Sequence, residues 1–185
     1  MTKRLFDIFL ASIAIILFMP IFLTAVIAIY FSDYGPILFK QKRVGLGGLE
    51  FDILKFRSMV INAEKLGGFS SENNDPRITK IGKFIRRTSI DELPQLFNVL
   101  MGNMSVVGPR PDVLAQENNY TEEEWKLRYS VRPGITGLAQ AIYRSDATFQ
   151  QRKDLDFHYI RNSSISFDLY ILLITVRQVF QKGGN

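Results

Sequence analysis

The sequence predicts an α+β fold, mostly helical with a small β-hairpin, held to a membrane by an N-terminal apolar segment. Three observations predict it. An uncharged apolar run extends from Ile8 to Phe31. Two strand-like stretches, 37–44 and 50–59, flank the turn Gly45-Leu46-Gly47-Gly48. Beyond them, apolar residues recur at helical spacing, as at Leu93, Leu96, Phe97 and Leu100. The expected division is a membrane helix over 1–34 and a folded domain over 35–185.

The apolar run would make a helix of roughly 36 Å at about 1.5 Å per residue, enough to cross a bilayer core. It is too long for a signal peptide, and no small-residue cleavage site follows, so the segment is retained. Pro20 lies in its middle, where it lacks an N–H and crowds the Ile16 carbonyl. Basic residues flank both ends: Lys3 and Arg4 before, Lys40, Lys42 and Arg43 after. Two readings stand here. One is a single kinked transmembrane helix. The other is a helix broken at Pro20 that re-enters the same side, as two basic flanks favour.

The glycine turn is followed by neither Lys-Ser nor Lys-Thr and opens no helix, so it reads as a hairpin and not a phosphate loop. Period two puts Lys55 and Arg57 on one face of the second strand. The polar stretch 62–77 reads as a long loop after a short helical start. An amphipathic helix over 78–87 then carries Lys80, Lys83, Arg86 and Arg87 toward the acidic pair Asp91-Glu92.

That pair precedes an apolar helical pattern and should sit at a helix N-terminus, where unpaired N–H groups favour negative charge. Ser89-Ile90-Asp91-Glu92 matches a capping box, but it would put Pro94 inside the helix. Asp91 as N-cap places Pro94 in the first turn and is the favoured register. Either way one acid is free for chemistry. Prolines on each side of Arg110 keep it out of a helix and stiffen it for phosphate recognition. Arg132-Pro133-Gly134 repeats that theme. Thr121 to Glu124 is a second capping box, opening a helix to Tyr129. A further helix starts at Thr148 and runs to Arg161, with His158 read as packed or surface-placed and not catalytic. The last, 166–180, either packs on the domain or lies in the membrane interface with Arg177 and Lys182 near headgroups.

Lys and Arg number 23 against 18 Asp and Glu, a formal charge of +5. The excess suits an anionic partner: a phosphorylated substrate, an anionic membrane or nucleic acid. With no cysteine there is no disulfide, thiolate metal site or thiol nucleophile.

Several long stretches in fixed order carry a family likeness. They are Lys55-Phe56-Arg57-Ser58-Met59, Ser89 through Leu100, Gly108-Pro109-Arg110-Pro111, and Arg132 through Gln140, together with the apolar segment and its Pro20. Over about Lys3 to Phe180 the chain resembles the small monotopic phosphoglycosyl transferases, the bacterial sugar transferases that start glycan assembly on polyprenol phosphate.

The resemblance implies a catalytic Asp91-Glu92 dyad, with Asp91 the nucleophile and both acids, Glu92 above all, binding Mg²⁺. Asp91 would attack the β-phosphate of a UDP-sugar, release UMP and pass the phosphosugar to polyprenol (undecaprenyl) phosphate. Arg86, five residues before the nucleophile, and Arg110 would contact phosphate; Lys55, Arg57 and Arg132 join them as candidates on charge and motif. Asp168 is a candidate for the uridine or sugar on proximity alone. The implied fold is monotopic, with a re-entrant helix broken at Pro20, interfacial amphipathic helices and the catalytic domain on the cytoplasmic face of the bacterial inner membrane. Partners would be a UDP-sugar, polyprenol phosphate and membrane lipids, with no nucleic acid. The family often has Ser before the proline; Met19 stands here and cannot bond a freed carbonyl. A minimal member is expected, without the added transmembrane helices of larger ones. The competing reading is a non-enzymatic, membrane-anchored basic module for anionic lipid or nucleic acid. Against it, the basic residues sit in scattered proline turns and form no stripe.

Overall fold

A computed structural model of the chain describes residues 2–63, 66, 75–143 and 146–182. The greater part of the expected 62–77 loop lies outside the described residues.

Helix α1 (Thr2–Asp33) is one continuous helix with Pro20 inside it, and the break expected there is not seen. Its buried residues, Asp7, Ala11, Ile15, Phe22, Ala25 and Ile29, recur at intervals of three, four and seven. That spacing draws one stripe along the helix, and the stripe joins the main core with Phe51, Ile53, Ile85, Leu96 and Val99. The other faces stay apolar and exposed, as at Phe9, Ile16, Leu17, Leu23 and Ile27. A core helix would be covered; only 17% of the most apolar window is. Exposed apolar surface of this length calls for a non-aqueous cover.

Both ends of α1 are tied to the rest of the chain. Arg4 donates to the carbonyls of Val99 and Leu100 at 2.6 and 3.0 Å. The buried Asp7 accepts from the Ser105 hydroxyl and the Val106 N–H. Lys3 reaches Asp168 at 2.5 Å. At the far end Asp33 pairs with Arg57.

The expected hairpin forms from β1 (Leu38–Val44) and β2 (Glu50–Phe56), antiparallel, with Leu38 opposite Phe56 and Val44 opposite Glu50. Helix α2 (Lys80–Arg87) starts two residues later than expected, because Thr79 is its cap and accepts from the Gly82 N–H at 2.8 Å. Gly82 lies against β2's exit: a Cβ there would stand 1.8 Å from the Ser58 carbonyl oxygen. After α3 (Gln95–Met101) comes β3 (Ser105–Val107), which pairs in parallel with β4 (Gly134–Thr136). This second sheet was not expected; two strands of three residues leave no readable period. Helix α4 (Glu122–Arg128) opens on the Thr121–Glu124 capping box, as expected. Helix α5 (Leu138–Tyr143) was not anticipated. Helix α6 (Phe149–Asn162) is capped by Thr148 with Gln151, and α7 (Ile165–Lys182) closes the described chain. Val107, Leu138, Ala141, Tyr159 and Ile171 form a second core beneath α5, α6 and α7.

α7 buries Asp168 and Ile171 and leaves Leu169, Tyr170, Leu173 and Val176 outward, so it packs on the domain and keeps an exposed apolar face. The Lys182 side chain lies outside the described residues.

Candidate active site

The acidic pair does not start an α-helix. Ile90–Glu92 forms a separate 3-10 turn, and α3 begins only at Gln95 with Pro94 before it. Both cap registers considered for the sequence are therefore corrected. Ser89 makes no capping bond, and neither Asp91 nor Glu92 caps the helix. Proline needs no N–H at the position it takes, so nothing forces an acid into that duty. Ser89 ends α2 in the left-handed region (φ 57°), a geometry glycine ordinarily takes. The turn it makes brings the dyad back over β2.

Glu92 is held by two cations. Its Oε1 accepts from Lys55 Nζ at 2.7 Å and from Arg110 Nη2 at 3.1 Å. Burial opposes its ionisation, yet Arg110 and Lys55 outweigh burial and hold the carboxyl down to about 2. Asp91 has the opposite setting. Burial pushes its carboxyl up to about 6, the Glu92 charge adds to this, and Lys55, Arg86 and Arg110 act against it. Among the described residues nothing hydrogen-bonds the Asp91 carboxylate. Two neighbouring acids thus have distinct characters. One is anchored by two cations that favour its ionised form; the other is unpaired, with its carboxyl pushed up to about 6.

Each supporting residue has a structural cause. Lys55 comes from β2, which is locked to α3 by Asn98: the Asn98 amide accepts from Leu54 N at 2.9 Å and donates to Asp52 O at 2.8 Å. Arg86 donates from Nε to Ser58 Oγ at 2.8 Å, a contact that the close Gly82 approach permits. Arg110 sits on a backbone pinned residue by residue. Gly108 N donates to Thr136 O, Gly134 N to Pro109 O, Arg128 Nη2 to Arg110 O, Arg43 Nη1 to Pro111 O and Val44 N to Asp112 O, all at 2.9 to 3.1 Å. The two proline–arginine motifs therefore meet through β3 and β4. Gly108 and Gly134 make that possible, since a Cβ on Gly134 would stand 2.1 Å from Gly108 N.

Arg128 anchors this arrangement. It is fully buried, bonded to Asp112 and Asp156 at 2.6 Å each. Tyr129 and Tyr120 hydroxyls also donate to Asp112, at 3.0 and 3.2 Å. Burial opposes the charge on Arg128, but the two carboxylates more than restore it and raise its pKa. Sequence reading missed Arg128, Arg43 and Asn98. Arg128 ends a helix whose capping box drew attention to its start, and its partners lie far along the chain.

Not every candidate arginine meets the dyad. Arg57 pairs with Asp33, and Arg132 donates from Nε to the Gly102 carbonyl at 2.9 Å. Asp168 is fully buried, bonded to Lys3 and to the Tyr159 hydroxyl, and so serves packing. His158 is exposed and lies edge-on to Phe167.

Among the described residues no group of three or more His, Cys, Asp or Glu gathers for a metal. The dyad still fits Mg²⁺, which binds through one or two carboxylates with substrate phosphates and water completing its shell. Asp91 is unpaired, and only one Glu92 oxygen has partners among the described residues.

Two juxtaposed acids of split character thus lie among the charges of Lys55, Arg86 and Arg110, beside a cleft that the apolar helix α1 also lines. A family model described as bacterial sugar transferase matches residues 1–182, and the chain belongs to that family. It is 41% identical to the UDP-glucose:undecaprenyl-phosphate glucose-1-phosphate transferase of Escherichia coli (strain K12), over 96% of this chain and 40% of that protein. A protein of the same description from Caulobacter vibrioides is 42% identical over 94% of this chain and 68% of its own length. The exopolysaccharide production protein ExoY of Rhizobium meliloti is 38% identical over all of this chain and 88% of its own. The chain thus spans less than half the length of some curated relatives and most of others.

Proposed function

We propose that the protein is a phosphoglycosyl transferase. It moves a sugar-1-phosphate from a UDP-sugar to undecaprenyl phosphate, the first membrane step of a bacterial glycan such as capsule, O-antigen or glycoprotein. The observation that carries this reading is the split dyad: an unpaired Asp91 carboxylate beside a Glu92 held by Lys55 and Arg110. Relatives of this description act on UDP-glucose and on UDP-N-acetylgalactosamine.

Asp91 acts as nucleophile. One carboxylate oxygen forms a bond to the β-phosphorus, the bond from that phosphorus to the bridging oxygen breaks, and UMP leaves with the bridging oxygen. The aspartyl phosphosugar is then attacked by an oxygen of the lipid phosphate, which releases the Asp91 carboxylate. Dividing the transfer gives two easier steps. A carboxylate and a diphosphate repel, so cations must offset the charge that builds on the phosphate oxygens. Arg110 and Lys55 are positioned for this through Glu92, and Arg86 from the side of Ser58. Mg²⁺ would be held by Glu92 and Asp91 and would supply further charge neutralisation at the phosphates.

Support for re-entrant placement of α1 is that both its ends bond to the same domain, at Val99, Leu100 and Asp168 on one side and Arg57 on the other. A spanning helix would carry one end to the opposite face. On this reading the domain lies on the cytoplasmic face of the inner membrane, where UDP-sugars are found. Full-length protein in detergent with Mg²⁺, undecaprenyl phosphate and a panel of UDP-sugars tests the function. UMP release with one or more sugars is expected; UDP as the sole nucleotide product would overturn it. Glu92→Gln is expected to cut the rate sharply with the fold retained by circular dichroism.

A further inference from the structure

A cleft of about 470 Å³ opens beside Glu92 of the dyad, and its lining is of two kinds. Ala14 and Phe18 of α1, with Leu93 and Leu96, make one wall apolar. Glu92, Arg110 and Arg152 are its charged lining residues. Arg110 is engaged with Glu92. Arg152, half-buried on the first turn of α6, has no side-chain hydrogen bond or ion pair among the described residues and acts only by its charge on Asp156. Asp156, one turn along the same helix, is taken by Arg128. A guanidinium that acts on Asp156 only through its charge, that acid being bonded to Arg128, therefore lines the same cleft as residues of the exposed apolar helix.

That combination suits an amphiphilic anion. We infer that the cleft seats the lipid acceptor. Arg152 and Arg110 hold the phosphate of a polyprenyl phosphate, and its first prenyl units lie on Ala14, Phe18, Leu93 and Leu96. The inference rests on the function proposed above and adds to it the acceptor's seat and a residue for its phosphate. Guanidinium groups bind phosphate by charge-assisted, often paired hydrogen bonds. Prenyl carbons gain from leaving water for an apolar wall. A phosphate so held stands beside Glu92, next to Asp91, where its oxygen can reach the phosphosugar phosphorus. The P–O bond to lipid forms as the P–O bond to Asp91 breaks, and no proton or electron is left over when the lipid phosphate reacts as its dianion.

The competing occupant is the sugar nucleotide. Gln140 and Gln178 line the same cleft. Each donates Nε2 to a backbone carbonyl, Ile135 and Ile142, and each leaves Oε1 buried without a hydrogen-bond partner among the described residues. Such oxygens accept and would suit sugar hydroxyls. The apolar wall, however, offers nothing to a hydroxylated ring or a diphosphate.

Arg152→Gln and Arg152→Lys, in full-length protein, separate the two. Arg152→Gln is expected to raise the KM for undecaprenyl phosphate about tenfold, the scale of one charge-assisted contact. The UMP burst without acceptor and the KM for UDP-sugar should not change, and Arg152→Lys should recover most of the loss. An unchanged acceptor KM, or a raised UDP-sugar KM in its place, would overturn the inference. Calorimetric titration with farnesyl phosphate, farnesol and inorganic phosphate decides it without turnover. Tight binding of farnesyl phosphate alone, weakened in Arg152→Gln, is expected. Equal binding to wild type and variant, or equal binding of inorganic phosphate, would refute it. Absence of UMP release from wild type would sink the proposed function and leave the titration to judge the cleft.

Discussion

Asp91→Asn should abolish turnover and yet stabilise the fold, and the gain should depend on pH. The Asp91 carboxyl is raised from 3.8 to about 6, first by burial and then by the Glu92 charge. At about 1.4 kcal/mol per pKa unit, the full shift corresponds to roughly 3 kcal/mol against the ionised fold. Asp91 is partly open to solvent, so screening lowers this to about 1–2 kcal/mol. A raised carboxyl favours folding below its unfolded pKa, where both states hold the proton, and loses that advantage as pH rises through about 6. Asn has no charge to bury. The variant should therefore match wild type below pH 4, gain between pH 4 and 6, and hold its full gain at pH 7.5. For a chain of this size that gain is about 2–8 °C in melting temperature. Thermal melts of both proteins at pH 3.8 and 7.5, without Mg²⁺ or nucleotide, measure it. A variant no more stable than wild type at pH 7.5, or a gain equal at both pH values, would refute the assignment of Asp91 as the strained, unpaired acid.

Other outcomes follow from the supports of the site. Arg128→Ala leaves Asp112 and Asp156 buried without their cation, and should cost about 3–5 kcal/mol in chemical denaturation. A loss under about 1 kcal/mol would contradict the buried ion network. Asn98→Ala removes the two bonds that lock β2 to α3. It should destabilise by about 2–4 kcal/mol, since the Leu54 N–H and Asp52 carbonyl lose their partner. Hydrogen exchange at Leu54 should rise with it; unchanged protection there would count against the lock. Gly82→Ala must displace α2 from Ser58. Loss of the UMP burst exceeding the loss of stability is expected, because Arg86 moves with the helix; a normal burst would show that Arg86 placement is not critical.

Local signals carried well into the structure, and signals spread along the chain did not. Thr121 and Thr148 start their helices where expected, because a cap is written in adjacent residues. The hairpin followed from alternation around its glycines. The dyad was legible as a pair, yet its helix register was misread. The two cap registers put Pro94 inside the helix or in its first turn, whereas a 3-10 turn lets the chain postpone the helix to Gln95, with Pro94 before it. Arg110 was legible through its prolines, but what holds it was not. Arg128 and Arg43 reach its backbone from other elements, and no window of sequence contains both. Lys55 and Arg57 shared a strand face by period, yet they end on different partners, Glu92 and Asp33, because β2 ends at Phe56 and the chain turns away. Arg152 drew no notice in the sequence, since a lone arginine on an amphipathic helix reads as solvated surface.

The central claim is that Asp91 carries the sugar phosphate covalently between donor and lipid. Incubating full-length protein with Mg²⁺ and a UDP-sugar that supports UMP release, without polyprenyl phosphate, tests it directly by intact-protein and peptide mass spectrometry. The expected result is one phosphosugar adduct per chain on the peptide containing Asp91, absent in Asp91→Asn and chased off by added undecaprenyl phosphate. An unmodified chain under conditions where UMP accumulates, or an adduct that persists in Asp91→Asn, would contradict it.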